Sequence, residues 1–237
     1  MQTKATLLTS AAIAALLIAA PQADAAGKFY VSVTGGANWV DDNNFFVNPV
    51  AATTLTWDTQ ADTGYLVAAT VGMNLGNYMN GLRAEVEAAW RHNNVSGDWS
   101  SNYSFTTPFA FGTIDYDHET FSVLANVWYD IPLGGGFTPY LGGGIGWADT
   151  RFDGTYTCIG GGNCIGGPFK FSEDGFAWQL GAGVNYAIAP NIQLGVGYRF
   201  FQGPEPTALP DQFLANISRH DLDNQNHAAV LTLTFGM

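Results

Sequence analysis

The sequence predicts an all-β fold, namely an eight-stranded antiparallel up-and-down transmembrane β-barrel. Three observations support this prediction. Apolar residues make up 47% of the chain, yet beyond the N-terminal region no apolar stretch reaches the 18 or more residues that a membrane-spanning helix needs. Segments with two-residue alternation recur along the chain, separated by turn-forming residues. Aromatic residues collect at both ends of these segments, on the side that the alternation assigns to the outside.

The composition narrows the class of protein. Charged residues make up 12% of the 237 residues, about half of the roughly 25% found in soluble domains. Apolar content without a helical span is typical of a membrane barrel, in which lipid-facing and lumen-facing residues alternate. A soluble β-sandwich or lipocalin-like barrel stays open at the level of composition. The net charge of −12 argues against a nucleic-acid partner, because such a partner requires a basic face.

Residues 1–25 have the pattern of a cleaved secretory signal peptide. Lys4 supplies the positive charge of the first region, and the apolar run Leu7–Ala20 is too short to span a membrane. The small residues around Ala23-Asp24-Ala25 fit a cleavage site. We therefore expect the mature chain, residues 26–237, to be one outer-membrane barrel domain.

The chain has two cysteines, Cys158 and Cys164, in a glycine-rich segment. Because an exported protein reaches an oxidising compartment, we expect a disulfide that closes this small loop. A metal site is not favoured, since two thiols without neighbouring histidines do not complete a tetrahedral set.

The alternation predicts eight strands. In the first half of residues 82–93, for example, Leu82, Ala84 and Val86 lie on one face, opposite Arg83 and Glu85. This period is typical of a strand and not of a helix. The predicted strands are residues 28–39, 62–74, 82–93, 119–130, 139–151, 174–188, 191–202 and 225–236.

Short and long connections alternate between these strands. The short ones are residues 75–81, 131–138 and 189–190, and the long ones, which we expect to be unstructured loops, are residues 40–61, 94–118, 152–173 and 203–224. Outer-membrane barrels have short periplasmic turns and long extracellular loops. This order places both termini at the periplasmic end of an even-numbered barrel.

Outward aromatic residues form two predicted girdles, with small or aliphatic residues between them. Such rings mark the two membrane interfaces, because amphipathic aromatic groups favour the headgroup level. A soluble barrel has no comparable reason to carry them, so we expect contact with the lipids and lipopolysaccharide of a Gram-negative outer membrane. The outer girdle is predicted to contain Trp39, Tyr65, Trp90, Phe121, Trp147, Trp178 and Tyr198, and the inner girdle Tyr129, Tyr186 and Phe235.

Charged residues on the inward positions predict a filled lumen. Eight strands enclose a space that side chains can fill, and charges in so narrow a space should pair, since an isolated buried charge is costly. The alternative is an ion path gated by the same pairs. The predicted charge network consists of Lys28, Arg83, Glu85, Glu87, Arg91, Asp130 and Arg199.

We predict no catalytic residues, no metal and no cofactor. The sequence lacks the His-x-Ser pair expected of a lipid A deacylase, and Ser218-Arg219-His220 is the nearest arrangement. The four histidines lie near strand tops or in long connections, where we expect them to be solvated. They are His92, His118, His220 and His227.

Several segments resemble a known family, the opacity-type small outer-membrane β-barrel proteins that are often called porin-family proteins. These segments are Phe29–Ala37, Thr138–Trp147 (TPYLGGGIGW), Phe176–Phe200 and His227–Phe235. They are also similar to the membrane domain of outer membrane protein A. The resemblance extends over nearly the whole mature chain except the long connections, and it brings no catalytic motif.

The resemblance implies both an assembly signal and a function. Barrels of this kind usually end on an aromatic residue that addresses the barrel-assembly machinery, and we expect Phe235 to serve although Gly236 and Met237 follow it. The expected function is structural or surface-interacting, in envelope integrity or in adhesion to a host or surface ligand through the extracellular loops. A narrow porin is the alternative, and a lipid-modifying enzyme ranks far behind.

Overall fold

The computed structural model consists of ten antiparallel strands. It describes residues 29–41, 44–47, 53–76, 79–103, 110–131, 133, 135–160, 166–204 and 224–236. The strands are β1 (Phe29–Val40), β2 (Asn44–Val47), β3 (Thr53–Ala61), β4 (Gly64–Asn74), β5 (Leu82–Tyr103), β6 (Ala110–Asp130), β7 (Phe137–Tyr156), β8 (Gly167–Ala189), β9 (Ile192–Gln202) and β10 (Gln225–Gly236). In the described ranges no helix has the length and apolarity that crossing a membrane requires.

Eight of these strands close into a ring, which confirms the predicted barrel. Strands β1 and β4 to β10 each pair with two neighbours, and β1 closes the ring on β10 from Tyr30↔Gly236 to Val40↔Asn226. Strands β2 and β3 form an additional hairpin that pairs with the upper part of β5, from Thr53↔Tyr103 to Ala61↔Val95. The predicted signal peptide, residues 1–25, lies outside the described residues.

Alternation along β6 shows how the sequence builds this barrel. Leu124, Asn126 and Trp128 are buried in the interior, whereas Val123 and Val127 are exposed on the outside. Aliphatic side chains on the outside suit the hydrocarbon of a bilayer, and the inward polar residues need partners in the lumen. The barrel interior is therefore polar in the membrane region.

The strands are longer than predicted, and the long connections are shorter. β5 and β6 extend to Tyr103 and Ala110, so most of residues 94–118 is a paired hairpin and not a loop. β7 and β8 similarly take most of residues 152–173. The two-residue period continues here, but the outward positions change from apolar to acidic residues such as Asp115 and Asp117. The polarity of these outward positions resembles that of a loop, although the strands continue.

The short periplasmic connections are tight turns, as predicted. Gly81 has a φ of +86°, and Gly135 and Gly136 have φ values of +66° and +85°. Glycine adopts this left-handed region without steric cost. The backbone N–H of Asp130 donates to Gly81 O at 2.7 Å, which ties the first turn to the end of β6.

Candidate functional site in the lumen and above the membrane

Glu85 is the centre of a hydrogen-bonded network in the periplasmic half of the lumen. Its carboxylate accepts hydrogen bonds from Tyr30 Oη at 2.8 Å, Trp128 Nε1 at 2.6 Å and Asn126 Nδ2 at 3.3 Å. The Glu85 side chain is buried. Three donors from two other strands therefore satisfy a charge that would otherwise be costly to bury.

Arg83 connects this network to the periplasmic rim. Its Nε lies 2.7 Å from Asp130 Oδ2, and its Nη1 lies 3.7 Å from Glu85 Oε2. Nη1 also donates to Tyr30 Oη at 3.2 Å. The guanidinium lies 5.6 Å from the ring centroids of both Tyr30 and Tyr140, so it is held by carboxylates and by aromatic faces.

Glu87 organises a second group of contacts one level higher. Arg199 Nη1 donates to Glu87 Oε2 at 3.1 Å, and Gln179 Nε2 donates to Glu87 Oε1 at 2.9 Å. Gln179 Nε2 also donates to Asn126 Oδ1 at 2.8 Å. Because Asn126 in turn bonds Glu85, polar contacts run without interruption across the lumen from β1 to β9.

Inward glycines make room for the large side chains of this network. A Cβ at Gly72 would overlap the ring of Tyr30, and one at Gly197 would overlap the Tyr140 hydroxyl. A Cβ at Gly181 would lie 2.7 Å from Arg199 Cδ. The glycines therefore serve packing.

The upper lumen is lined by amides and hydroxyls. Asn38 Nδ2 donates to Asn93 Oδ1 at 2.6 Å and to Asn226 Oδ1 at 2.9 Å. Asn226 Nδ2 donates to Asn224 Oδ1 at 3.0 Å, and Asn224 Nδ2 donates to Thr150 Oγ1 at 2.8 Å. This chain joins β1, β5, β7 and β10 just below the extracellular mouth.

Arg91 contacts a hydroxyl and an aromatic ring in the lumen. Its side chain is buried, and Nη1 donates to Ser122 Oγ at 2.9 Å. The guanidinium lies 3.8 Å from the ring centroid of Phe201. Within the described part of the chain no carboxylate forms an ion pair with it, although Glu87 acts on it electrostatically, so the place of Arg91 in the charge network stays a prediction. Lys28, the remaining predicted member, lies outside the described residues.

An aromatic cap closes the mouth above this level. His118 stacks on Phe152 with ring centroids 4.7 Å apart, and Phe152 stacks on Phe171 at 4.6 Å. Tyr116 and Phe169 contact the same cluster, with ring centroids 6.0 Å apart. His118 lies three residues beyond Phe121, above the predicted outer girdle. Its burial corrects the expectation that the histidines are solvated.

Burial in the cap changes the acid–base properties of two side chains. Burial, with a smaller effect of His92, lowers the pKa of His118 to about 4. Burial raises the pKa of Tyr116 to about 12, although a hydrogen bond with Thr59 of β3 opposes the shift. Both groups are therefore neutral near pH 7, and the cap adds an uncharged layer above the polar lumen.

The paired sheet of β5 to β8 continues above the predicted outer girdle. β6 continues ten residues from Phe121 to Phe111, which is about 25 Å of height at about 3.3 Å per residue and a tilt of about 40°. Headgroups occupy only about 5–8 Å on each side of the hydrocarbon. With Phe121 at the predicted outer interface, the upper parts of β5 to β8 would rise beyond the headgroup region.

The outer face of this part of the sheet is acidic. Asp117 is directly opposite Asp153, and Asp149 is directly opposite Asp174. Arg151 Nη2 and Lys170 Nζ each lie 2.6 Å from one carboxylate, that of Asp149 and Asp153 respectively. The further acidic residues at outward positions are Asp58, Asp98, Asp115 and Glu119.

The predicted girdle residues lie on the outward face. Trp90 and Trp178 are half-buried because they pack on Phe121 and Phe200, with ring centroids 6.4 Å and 5.3 Å apart. Phe235 is also half-buried. The exposed members are Trp39, Tyr65, Phe121, Tyr129, Trp147, Tyr186 and Tyr198. Their contact with lipid headgroups stays a prediction.

Two other predicted features lie at the extracellular end. Cys158 lies two residues beyond the end of β7, but Cys164 is outside the described residues, so the disulfide stays a prediction. The segment Ser218-Arg219-His220 is outside them as well. His92 and His227 face outward and contact carboxylates, with His92 Nδ1 lying 3.5 Å from Glu119 Oε1 and His227 Nε2 lying 3.3 Å from Asp41 Oδ1.

The sequence interpretation missed four inward aromatic side chains. Tyr30, Trp128, Tyr140 and Phe201 are all buried in the lumen. The two-residue alternation places these side chains inside the barrel. Trp128, for example, lies two residues from both Asn126 and Asp130, which face inward. The prediction assigns aromatic residues to the membrane girdles only, so it does not place these side chains in the lumen.

Together, the closed ring, the apolar exterior and the polar, filled interior define an integral outer-membrane β-barrel protein. The chain belongs to the family described as the outer membrane protein beta-barrel domain, whose model matches residues 9–235. This membership confirms the predicted location in the outer membrane of a Gram-negative bacterium. A structural or surface-interaction role fits this family.

Individual relatives match over part of their length. The outer membrane protein PagN of Salmonella typhimurium is 31% identical over 77 residues, which is 32% of this chain and 31% of PagN. An uncharacterised protein of Brucella abortus (strain 2308) is 34% identical over 89 residues, 35% of this chain and 30% of the relative. The chain thus spans about a third of the length of these curated relatives.

Among solved structures, the Neisserial surface protein A (NspA) has a similar fold. Its TM-score is 0.52 at 15% identity, with 90% of this chain and 100% of that chain covered. At this identity the likeness supports the barrel fold alone.

Proposed function

We propose that this protein is a closed, non-catalytic barrel that holds a rigid β-sheet above the outer leaflet for contact with another surface. The observation that carries the proposal is the continuation of β5 to β8 beyond the outer girdle as one paired sheet. A barrel that only fills the membrane needs no such extension, because short loops can close its upper end.

The rigidity of the extension supports a role in binding. Consecutive pairs run from Asn93↔His118 to Ser101↔Ala110 and from His118↔Phe152 to Ile114↔Tyr156. The hairpin of β2 and β3 adds further pairing to β5. A preformed surface loses less conformational entropy on binding than a flexible loop does.

The charge of the extension indicates which partner it suits. Its outer face carries facing carboxylates, including the pair Asp117 and Asp153, and fewer cations. Complementary charge steers encounters and disfavours partners of the same sign. We therefore expect the contacted surface to be basic.

The filled lumen favours a structural role of the barrel over the transport of solutes through it. The described cavity on the periplasmic side, lined among others by Arg83, Glu85 and Arg199, has a volume of about 20 Å³, close to the space that one water needs. The Glu87–Arg199 contacts and the aromatic cap lie above it. A narrow porin remains the second candidate, because charged pairs line the lumen and could open.

Adhesion of bacteria tests the proposal. Cells that express the full chain should adhere to a surface coated with a basic protein more than cells with an empty vector, and adhesion should fall as salt is added. Replacing residues 153–170 by a short turn should abolish the gain while heat-modifiability on a denaturing gel persists. Neutralising Asp115, Asp117 and Asp153 to Asn should weaken adhesion without shortening the sheet. Equal adhesion of the empty-vector cells would remove the surface role.

Conductance tests the closed state separately. Purified protein in planar bilayers should show no large, reproducible channel events. Steady conductance that survives in the variant with the shortened β7–β8 hairpin would favour the narrow porin over the closed barrel.

A further inference from the structure

Arg91 is a buried cation with incomplete partners. It is 2% exposed, and only Nη1 has a hydrogen bond, to Ser122 Oγ. Its Nε and Nη2 have no partner among the described residues. The Phe201 ring covers one face of the guanidinium, but a ring face does not accept the in-plane N–H groups. Two donors of a buried charge are thus left to an occupant of the lumen.

The distribution of charge indicates what that occupant is. Glu87 is the carboxylate nearest to both Arg91 and Arg199, and it already bonds Arg199 at 3.1 Å. Glu85 acts on Arg199 from the level below, but it belongs to the lower group, so the upper group has a local surplus of one positive charge. Arg83, with Glu85 and Asp130, has a surplus of one negative charge. Water can accept hydrogen bonds from Nε and Nη2 of Arg91, but it adds no negative charge to the upper group.

We infer that the upper lumen binds a small monovalent anion, of the size of chloride, at the Arg91 guanidinium. Nε and Nη2 are the primary donors, and the hydroxyls of Ser122 and Thr120 lie on the neighbouring strand. A dianion such as phosphate does not fit, because the surplus is a single charge and the surroundings are buried.

Two buried amide oxygens that receive no hydrogen bond fit an anion that retains some of its bound water. Asn38 Oδ1 and Gln179 Oε1 are buried and accept no hydrogen bond in the described part of the chain. Gln179 pairs in register with Phe201, and Asn38 bonds Asn93, which lies two residues from Arg91. A water bound to the anion has a second hydrogen to donate to each of these oxygens.

The consequence is a barrel whose polar core is completed by a solute ion. Binding to the folded state alone shifts unfolding to higher temperature as the ion concentration rises. The effect should depend on the identity of the anion and not only on ionic strength, which distinguishes the site from general screening. This inference stands apart from the surface role and does not depend on adhesion.

Bromide gives a direct test on the wild-type protein. Crystals soaked in bromide should show an anomalous peak beside the Arg91 guanidinium. In detergent, replacing isethionate by chloride at about 0.3 M should raise the midpoint of thermal unfolding by about 2–4 °C. R91Q should lose this shift, R91K should keep part of it, and R151Q, which alters an exposed arginine, should keep all of it.

The outcomes are separable. Water alone at Arg91, with no bromide peak, overturns the inference, and so does a chloride shift of equal size in R91Q. Should R91Q not refold, the crystal experiment and R91K still decide, because neither requires that variant.

Discussion

Gln179 Nε2 donates to Asn126 Oδ1 at 2.8 Å, and this bond joins the two carboxylate centres of the lumen. Asn126 bonds Glu85 on one side, and Gln179 bonds Glu87 on the other. Two neutral amides therefore separate two buried acids on the same strand. They distribute donors to both acids, and they bring β6 and β8 together across the barrel.

Removing the Gln179 amide should destabilise the barrel without changing its topology. In Gln179→Ala, Glu87 and Asn126 each lose one hydrogen bond while remaining buried, which costs about 1–3 kcal/mol. Urea unfolding in lipid vesicles, followed by heat-modifiability, measures this loss. Gln193→Ala is the matched control, since Gln193 is exposed at the periplasmic end of β9. Equal effects of the two variants would contradict a specific role for the amide bridge.

The pair Glu87 and Arg199 should behave as a unit. Arg199→Met leaves Glu87 buried with Gln179 as its remaining side-chain donor, and it should cost about 3–5 kcal/mol. Adding Glu87→Gln removes the uncompensated charge and should recover much of that loss. A double-mutant cycle on unfolding free energies measures the coupling. Additive losses would show that the 3.1 Å contact contributes little.

The sequence predicts those features of the site that follow from the residue pattern within a single strand. Charged residues such as Glu85 and Arg199 were placed inside correctly, because a strand in a bilayer cannot turn them toward lipid at low cost. The two-residue alternation also places Trp128 inside the barrel. The prediction followed the preference of aromatic residues for the membrane interface instead, so it left Trp128 out of the lumen. The sheet above the predicted outer girdle was missed for a similar reason. Asp115 and Asp117 alternate with Ile114 and Tyr116, yet their polarity resembles that of a loop.

Other features could not be predicted from one strand at a time. Whether Arg91 meets a carboxylate depends on side chains that approach from across the barrel, and register between distant strands decides that. The stacking of His118 on Phe152 has the same origin. The alternation in the sequence shows whether a side chain faces the lumen or the outside. Which side chain it contacts across the lumen is known only from the closed ring of strands.

The cysteines should be linked in the exported protein. Cys158 follows the end of β7, and Cys164 lies six positions further along the chain. Peptide mass mapping without reduction should recover the tryptic fragment 152–170, which contains both cysteines, at a mass lower by two hydrogen atoms than the same fragment after reduction. Cys158→Ser should remove the oxidised form of that fragment and leave heat-modifiability intact, because Cys158 lies beyond the end of β7. Free thiols in protein isolated from outer membranes would refute the pairing.

The final aromatic residue should act in assembly more than in stability. Phe235→Ala should lower the amount of protein in the outer membrane, whereas purified, unfolded protein should still refold into detergent micelles. Leu233→Ala is the control, because Leu233 faces outward two residues earlier on β10. The contrast to measure is membrane yield against refolding yield. A matching loss in both yields for both variants would assign Phe235 to general packing.

Acid should weaken the cap through His118. Burial lowers the pKa of His118 to about 4 in the folded protein, whereas an unfolded histidine titrates near 6.5. The unfolded chain therefore binds the proton more readily, so stability is complete above about pH 6.5, falls as the pH drops toward 4, and levels off below that. The total loss is on the order of 3 kcal/mol.

Measuring the free energy of unfolding between pH 7 and pH 4 tests whether protonation of His118 lowers the stability. In His118→Gln the slope that remains should come from the other titratable groups, so the difference between wild type and variant should grow smoothly as the pH falls. His227→Gln is the comparison, since His227 is outward and only half-buried. A wild-type protein that gains stability on acidification relative to His118→Gln would require a charged partner at the cap and would contradict the neutral, stacked histidine.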